Sequence, residues 1–290
     1  MTTGSAGGVG VADCFRVVDL DDDPAEAVRG EVVVGLAASL IGADLWGRLI
    51  RDRLTAEGID ATAVEVHDTL ATSTTAVLIE AAGERSFAHH VGAPQRLDSA
   101  FIRRQAAVFA RHRLAIVGYV GLLPALEPEL ADALSVIKAA GCRVALETGG
   151  SGGSLATVAP ALPLVDFYVP SLDEARHQTG LDDPREIVAC YRSHGAAGLV
   201  GVKLGARGVL LSPSANAFVE IPCIPAPGPV ADTTGAGDAF LAGLFTGILR
   251  DMPIRDAGLL GAATAACCVT GLGATAGLRS LAETRRLAGV

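Results

Sequence analysis

Apolar residues recur along this chain in short runs that alternate with longer stretches of helical spacing. Short apolar runs predict buried strands, and apolar positions three or four residues apart predict amphipathic helices. Strands that alternate with helices are typical of an α/β fold, here a three-layer sandwich with a largely parallel central sheet. The regular part starts at residue 114, with strands predicted at Leu114–Tyr119, Arg143–Glu147, Val165–Val169, Leu199–Leu204, Val209–Leu211 and Phe218–Ile224 and helices at Glu127–Ala140, Pro184–His194, Gly235–Leu249 and Ile254–Thr270.

The first part of the chain shows a similar pattern with one addition. A strand is predicted within Glu31–Ile41, and a helix follows it. Two apolar runs, Thr74–Ile79 and Arg85–Val91, flank a short turn and predict a hairpin. We interpret this hairpin, at about residues 74–92, as a lid on a single domain that spans residues 1–290.

Residues 1–30 depart from this pattern. The string Gly4–Gly10 is glycine-rich, but no strand precedes it, so it matches a dinucleotide-binding loop only weakly. A group of acidic residues, Asp19, Asp21, Asp22 and Asp23, is typical of a solvated loop, with a metal-binding cluster as the alternative. We therefore expect an atypical start to the domain.

Composition and charge narrow the classes of function. Half of the 290 residues are hydrophobic, and the formal net charge of -9 argues against a nucleic-acid backbone as the main partner. None of the six cysteines forms a Cys-x-x-Cys pair, and the neighbours Cys267 and Cys268 are expected to be buried core thiols. These thiols and the lack of an apolar leader favour the cytoplasm. The uncharged stretch Ala257–Leu278 is interpreted as a buried helix plus loop, not a membrane span.

The segment Asp232–Phe240 carries the most specific candidate chemistry. Two glycines flank Ala236 and an apolar run of helical spacing follows, so the segment predicts a glycine loop that opens a helix. The N–H groups of a first helical turn can hold a phosphate or an oxyanion. Asp238 lies in that turn, where its carboxylate could accept a proton from a hydroxyl that attacks phosphorus. The alternative is that Thr234 or Gly235 caps the helix and Asp238 only complements its dipole.

Two common kinase classes lack their motifs here. The chain contains no Gly-Lys dipeptide, which excludes a Walker A phosphate loop. It also contains neither a His-Arg-Asp nor an Asp-Phe-Gly sequence, which excludes the protein-kinase fold. A phosphate cradle in this chain must therefore be built in another way.

The string Asp-Thr-Thr-Gly-Ala-Gly-Asp-Ala-Phe at residues 232–240 resembles the C-terminal signature of the PfkB family, the ribokinase-like carbohydrate kinases. The resemblance implies that Asp238 is the catalytic base. It implies that the amides of Gly235, Ala236 and Gly237 form the anion hole. It also implies that ATP is the phosphoryl donor and that Mg²⁺ accompanies it.

Further segments resemble the family's nucleotide site. In the strand-turn segment around Lys203, Gly205 and Gly208 permit the turn, and the lysine could meet a phosphate, the alternative being a lysine at a strand edge. Thr234 belongs to the glycine motif, and Gly273 belongs to a segment that resembles the one packing on the adenine side. The resemblance implies that all five residues contact the nucleotide.

The metal residues follow from the same resemblance. The segment Pro170–Glu174 resembles the family's Pro-Asn-x-x-Glu, with Ser171 where the family has an Asn that contacts the nucleotide. Glu174 is expected to support magnesium, and the alternative is an ordinary glutamate at a helix start. The resemblance also places Asp232 and Thr233 near a site for a monovalent cation such as K⁺.

The acceptor residues implied by the resemblance lie in the first half of the chain. Gly92 and Ala93 match the family's Gly-Ala at the sugar site, and Asp44 belongs to a Gly-x-Asp-x-x-Gly turn. Gly7 and Gly8 resemble the glycine part of a sugar-binding motif. The Asn that follows this motif in the family is absent here, and so is the strand that precedes it.

The resemblance covers the chain from about Val34 to its end. It implies an ATP-dependent phosphotransferase that phosphorylates a hydroxyl group of a sugar or sugar-like small molecule. A nucleoside kinase of the adenosine or pseudouridine type is one alternative, and a non-catalytic member that binds a nucleotide or sugar is another. We expect a small-molecule partner and neither nucleic acid nor membrane, and the resemblance implies a homodimer formed through the lid.

Overall fold

The computed structural model describes residues 15–20, 33–79, 85–149 and 152–290. The described residues belong to two compact units. The N-terminal unit lies within Val11–Asp166, and the C-terminal unit is Phe167–Val290. The single domain predicted over residues 1–290 stays a prediction.

The N-terminal unit contains a five-stranded arrangement and a separate hairpin. In the larger group the order is β7-β6-β1-β2-β3, with β6–β7 and β2–β3 parallel and β1 antiparallel to both of its neighbours. The strands are β1 (Phe15–Leu20), β2 (Val33–Gly42), β3 (Asp60–His67), β4 (Thr74–Ile79), β5 (Arg85–His90), β6 (Leu114–Val117) and β7 (Arg143–Leu146).

Strand β1 corrects one expectation. Asp19 was predicted to lie in a solvated loop, but it lies in β1 and pairs with Val34 of β2. The residues before it include Val17 and Val18, whose β-branched side chains favour strands, and β1 pairs on both sides. Backbone pairing with two neighbours therefore outweighs one unfavourable aspartate. The other acidic residues of that group, residues 21–23, lie outside the described residues.

The helices of the N-terminal unit carry ordinary sequence signals. Asp44 and Asp98 are the N-caps of α1 and α2 and accept hydrogen bonds from backbone N–H groups of the first turn. Helix α4 buries Leu130, Leu134 and Ile137, whose spacing gives one apolar face. The helices are α1 (Leu45–Ala56), α2 (Ser99–Arg104), α3 (Ala106–Phe109), α4 (Leu130–Ala139) and α5 (Leu155–Val158).

The hairpin of β4 and β5 forms its own antiparallel sheet, in the position that the sequence predicts. Val77 pairs with Phe87 across the strands, and both side chains are exposed, as is Leu78. A two-stranded sheet is only marginally stable alone. The predicted role of this hairpin as a lid stays a prediction.

The C-terminal unit contains four strands in the order β11-β10-β9-β8, of which β8 and β9 are parallel, while β9, β10 and β11 form an antiparallel meander. Its strands are β8 (Phe167–Tyr168), β9 (Leu199–Lys203), β10 (Val209–Ser214) and β11 (Ala217–Ile221). Its helices are α6 (Leu172–Thr179), α7 (Pro184–Ser193), α8 (Ala236–Leu249), α9 (Ile254–Cys268) and α10 (Leu281–Ala288).

Helices α8 and α9 pack closely through glycines. A Cβ atom on Gly243 would lie 2.3 Å from Thr264 Oγ1 and 2.8 Å from the Cα of Gly261, so only a residue without a side chain fits there. The uncharged stretch Ala257–Leu278 forms most of α9 and the loop after it, as predicted. Within the described ranges, no helix combines the length and apolar character that crossing a membrane requires.

Candidate active site

The glycine motif forms a tight loop that opens helix α8, as the sequence predicts. Gly235 occupies the N-cap position with φ of 77°, a left-handed conformation that favours glycine. A Cβ atom there would also lie 2.6 Å from the Cβ of Ala274. No side chain caps this 14-residue helix, so N–H groups in its first turn can be offered to an anion, although that of Ala236 donates to the carbonyl oxygen of Thr233 at 3.3 Å.

Asp232 joins this loop to the segment that follows α9. Its Oδ1 accepts hydrogen bonds from the backbone N–H and the hydroxyl of Thr234, at 2.9 and 2.7 Å. Its Oδ2 accepts a hydrogen bond from the N–H of Gly273 at 2.9 Å. The Thr234 hydroxyl is therefore directed to Asp232 and does not cap α8. The predicted roles of Asp232 and Thr233 beside a monovalent cation stay predictions.

Cys268 also connects the loop before α8 with the segment after α9. The sequence analysis predicted only that its thiol is buried in the core. Its thiol donates to the carbonyl oxygen of Ala274 at 3.2 Å and lies 3.6 Å from the carbonyl oxygen of Thr234. Burial raises the pKa of Cys268, and the nearby carboxylates of Asp238 and Asp232 raise it further. The thiol therefore stays protonated and acts as a hydrogen-bond donor.

Lys203 reaches the first turn of α8. Its N–H donates to the carbonyl oxygen of Pro170 at 2.8 Å, and it forms an isolated parallel bridge with Ser171. Its Nζ lies 3.2 Å from the position that a Cβ atom on Gly237 would occupy. The structure thus brings the predicted phosphate contact and the predicted anion hole together.

The turn after Lys203 is as tight as its glycines predict. Gly205 and Gly208 have φ of 60° and 87°, and the N–H of Leu204 donates to the carbonyl oxygen of Gly208 at 2.8 Å. A Cβ atom on Gly208 would lie 2.0 Å from the carbonyl oxygen of Ile221. The turn is confirmed, and its contact with a nucleotide stays a prediction.

Ser171 and Glu174 form a capping box at the start of α6. The N–H of Ser171 donates to Oε2 of Glu174 at 2.6 Å, and the N–H of Glu174 donates to the Ser171 hydroxyl at 3.3 Å. The helix-start alternative therefore describes what Glu174 does in this structure. A serine suits this position because serine is a strong N-cap residue. The nucleotide contact of Ser171 and the magnesium role of Glu174 stay predictions.

The residues present suit magnesium only together with a nucleotide. Across the described ranges, no three side chains of His, Cys, Asp or Glu are grouped so that they could hold a metal ion. Magnesium commonly binds through one or two carboxylates, with water and substrate phosphates as the other ligands. Glu174, whose Oε2 already accepts a hydrogen bond, would contribute Oε1 or act through water.

In the N-terminal unit, Asp44 is engaged by its own chain. Its carboxylate accepts hydrogen bonds from the N–H of Gly47 at 2.8 Å and from the N–H and hydroxyl of Thr72 at 2.8 and 2.7 Å. Burial acts to raise the pKa of Asp44, but hydrogen bonds from Thr72, Gly47 and Trp46 outweigh it and hold the pKa below its ordinary value. Asp44 therefore organises the turn, and its contact with an acceptor stays a prediction.

Gly92 and Ala93 lie against the same turn. The N–H of Ala93 donates to the carbonyl oxygen of Ala71 at 2.7 Å. A Cβ atom on Gly92 would lie 2.4 Å from that oxygen, and Gly92 has φ of 64°. Their acceptor role stays a prediction. Gly7 and Gly8 lie outside the described residues.

A buried polar group that the sequence analysis did not single out lies after strands β6 and β7. Glu147 is 9% exposed and accepts a hydrogen bond from the N–H of Tyr119 at 3.4 Å. Tyr119 has φ of 57°, unusual for a residue with a side chain. Thr148 is buried, and its hydroxyl has no hydrogen-bond partner in the described structure. The signal for this group was an acidic residue at the end of the predicted strand Arg143–Glu147, because ligands of α/β sheets bind at strand carboxyl ends.

Comparison with known families identifies this arrangement. Residues 34–281 match the model of the pfkB family carbohydrate kinases. The chain belongs to the pfkB family. It is therefore an enzyme of the carbohydrate-kinase class, which confirms the family and the enzyme class predicted from the glycine motif.

Two curated relatives of this pfkB-family chain align over most of their length. A ribokinase of Haemophilus influenzae is 28% identical over 261 residues, which are 85% of this chain and 78% of the relative. A 2-dehydro-3-deoxygluconokinase of Bacillus subtilis is 27% identical over 238 residues, 76% of this chain and 70% of the relative. A shorter match, to a nucleoside kinase of Methanocaldococcus jannaschii, is 46% identical over 55 residues, 19% of this chain and 18% of the relative.

Solved structures agree on the fold. The ribokinase of Arabidopsis thaliana complexed with ribose and ATP has a TM-score of 0.72 at 20% identity and covers 90% of each chain. A putative ribokinase II from E. coli has a TM-score of 0.74 at 22% identity and covers 87% of this chain and 82% of its own. At such identities the likeness establishes the fold alone. The predicted α/β ribokinase-like fold is confirmed.

Proposed function

We propose that this pfkB-family enzyme transfers the γ-phosphoryl group of ATP to a hydroxyl group of a sugar or sugar-like small molecule. One observation carries the proposal: helix α8 starts without a side-chain cap, and its first turn holds Asp238 and has the Lys203 ammonium beside it. An anion site and a proton acceptor on one turn are what phosphoryl transfer to an alcohol requires.

The chemistry assigns one role to each part of that turn. Asp238 accepts the proton of the acceptor hydroxyl while the acceptor oxygen forms a bond to the γ-phosphorus. The bond from this phosphorus to the β–γ bridging oxygen breaks, and ADP leaves with that oxygen. The amides of residues 235–237 donate to the phosphoryl oxygens, whose charge they stabilise in the transition state. Gly235 and Gly237 let the phosphoryl group approach the backbone closely.

The nucleotide lies, in this proposal, along the C-terminal unit. Lys203 and the turn of Gly205 and Gly208 border its phosphates. Thr234 and Gly273 also contact the nucleotide. When bound, Mg²⁺ neutralises charge on the nucleotide phosphates, with Glu174 as its carboxylate in the chain. Asp232 and Thr233 would lie beside a monovalent cation such as K⁺.

The acceptor is proposed to meet the turn of Asp44 and the Gly92-Ala93 pair, and the β4–β5 hairpin would shield it from water, which competes as a nucleophile. A sugar acceptor is favoured because two relatives that align over most of their length are named for sugar or sugar-acid substrates. A nucleoside acceptor is the second candidate, since a nucleoside kinase matches over a short segment. A cytoplasmic location and a homodimer remain part of the proposal.

The test is acceptor-dependent release of ADP from Mg-ATP over a panel of sugars, sugar acids and nucleosides, with Asp238→Asn and Asp256→Asn in parallel. Both aspartates lie in the first turn of a long helix, so both substitutions remove the same helix-dipole interaction. Loss of a general base lowers the rate by about 100- to 10,000-fold, so Asp238→Asn should lose activity to that extent. The Asp256→Asn variant should keep it. Equal activity of the two variants would show that Asp238 only complements the dipole.

A further inference from the structure

The side chain of Lys203 occupies an unusual electrostatic position. The chain has only two lysines, Lys138 and Lys203. Lys138 forms an ion pair with Asp166 at 2.7 Å. In the described structure no carboxylate pairs with Lys203, although Lys203 is partly buried. The two lysines of this protein therefore differ in whether their charge is balanced.

The surroundings of the Lys203 ammonium make this imbalance more unfavourable. Nζ lies beside Gly237 in the first turn of α8, where the helix dipole presents its positive end. A positive charge at that end is repelled, and partial burial removes some of the water that would solvate it. An anion bound at the same turn would attract the ammonium and would take the place of the lost water as its partner. The ammonium and the uncapped helix start thus point independently to one anionic ligand.

The identity of the neighbouring residues indicates which part of that ligand Lys203 meets. Gly237 directly precedes Asp238, which accepts the acceptor's proton in the proposed function. A group beside Gly237 therefore lies at the reacting end of the nucleotide rather than at its base. The backbone of Lys203 is held by Pro170 and Ser171, so its reach toward α8 is fixed by strand β9.

We infer that Lys203 is a catalytic residue whose ammonium contacts the phosphoryl group during its transfer. This inference rests on the proposed function and goes beyond a general border of the nucleotide. Lys203 takes no part in proton transfer: the acceptor's proton goes to Asp238, one P–O bond forms and one breaks. Its positive charge, together with the N–H groups at the start of α8, offsets the negative charge on the transferring group.

The kinetic test compares Lys203→Met and Lys203→Arg with Lys138→Met. If Lys203 stabilises the transition state, Lys203→Met lowers kcat by about 100- to 1,000-fold while the KM for ATP changes little. Lys203→Arg, which keeps the charge, restores part of kcat, and Lys138→Met keeps the wild-type kcat. If Lys203 only borders the nucleotide, the KM for ATP rises and kcat is unchanged, which overturns the inference.

A second test needs no turnover and no variant. The unmodified protein is treated with an amine-reactive reagent, and labelling of each lysine is measured by mass spectrometry. A non-hydrolysable ATP analogue with a γ-phosphoryl group should protect Lys203 strongly and ADP should protect it weakly, while Lys138 labels equally in all samples. Equal protection by the two nucleotides, or none, contradicts the contact.

The two tests separate failure of the inference from failure of the proposed function. An active kinase in which Lys203→Met keeps its kcat overturns only the role of Lys203. A chain without ADP release on any acceptor overturns the proposed function, and the labelling experiment still decides whether Lys203 meets the terminal phosphate. If Lys203→Met does not fold, labelling of the unmodified protein decides the inference.

Discussion

At the scale of single residues, three carboxylates of the candidate site already accept hydrogen bonds from their own chain. Asp44 binds Gly47 and Thr72, Asp232 binds Thr234 and Gly273, and Glu174 binds Ser171. These carboxylates hold loops in shape, which is a different task from binding a ligand directly. Asp238 lies in the first turn of helix α8, whose N-cap residue, Gly235, has no side chain.

Replacing Asp44 with alanine should lower the free energy of unfolding by about 1 to 2 kcal/mol, because the N-cap of α1 and the hydrogen bonds from Thr72 are lost. Chemical denaturation measures this difference. The control is Asp52→Ala, which removes an exposed aspartate from the same helix and should change stability by less than about 0.5 kcal/mol. Equal effects of the two substitutions would contradict the role given to Asp44.

The same variant has a predicted pH dependence. The pKa of Asp44 is lowered in the folded protein, so its contribution to stability is present above the pKa of the unfolded chain and is lost as pH falls through the folded pKa. The stability gap between wild type and Asp44→Ala should therefore be full at neutral pH and narrow in acid, below the ordinary aspartate pKa of about 3.9. A gap that stays constant well below that pKa would show that Asp44 is not the titrating group.

At the scale of elements, the active turn depends on the loop before α8 and the segment after α9. Gly235 packs on Ala274, Asp232 binds the N–H of Gly273, and Cys268 binds the carbonyl oxygen of Ala274. Each contact fixes where α8 begins. The position of the proposed anion hole is therefore set by two segments that are far apart in sequence.

Gly235→Ala should be more destabilising than Gly205→Ala. Both glycines have positive φ, so alanine at either position costs about 1 to 2 kcal/mol of backbone strain. A new Cβ meets Ala274 at position 235 and nothing within 4 Å at position 205. Overpacking adds about 1 to 3 kcal/mol to Gly235→Ala alone. Denaturation of both variants measures the difference, and equal losses of stability would mean that the contact with Ala274 does not hold the loop.

Cys268→Ala should reduce phosphoryl transfer more than Cys267→Ala does. Both thiols are buried in α9, but only that of Cys268 donates to Ala274 and lies near Thr234. Loss of one hydrogen bond is worth about 0.5 to 1.5 kcal/mol, or roughly a two- to tenfold decrease in kcat if it loosens the anion hole. Cys268→Ser, which retains a donor, should recover part of kcat. Activity unchanged in Cys268→Ala would leave this thiol as core packing only.

At the scale of the whole molecule, the sequence pattern predicts the class of fold well. Short apolar runs predict most of the strands, and apolar positions three or four residues apart predict the main helices. The two patterns differ because burial gives apolar residues a different period in a strand and in a helix. Strand β1 was not predicted, and Asp19 was assigned to a loop. The prediction failed because pairing with two neighbouring strands outweighs local composition.

The candidate site could be predicted only in part. The glycine loop and its helix follow from local sequence, and so does the turn of Gly205 and Gly208. The capping box of Glu174 is also visible locally as Ser-x-x-Glu, although the family resemblance favoured a metal role. The hydrogen bonds of Cys268 and of Glu147 join segments that are distant in sequence, so a single sequence without structure does not reveal these contacts.

The measurement that tests the central claim most directly is analysis of the reaction product by mass spectrometry after incubation with ATP labelled in its γ-phosphoryl group. The account predicts that the label appears as a phosphate ester of one sugar-like acceptor with wild type and with Asp256→Asn. It predicts that the ester falls by about 100-fold or more with Asp238→Asn. ATP binding without any labelled ester, over the full acceptor panel, would contradict the account and leave a protein that binds nucleotide without transferring its phosphate.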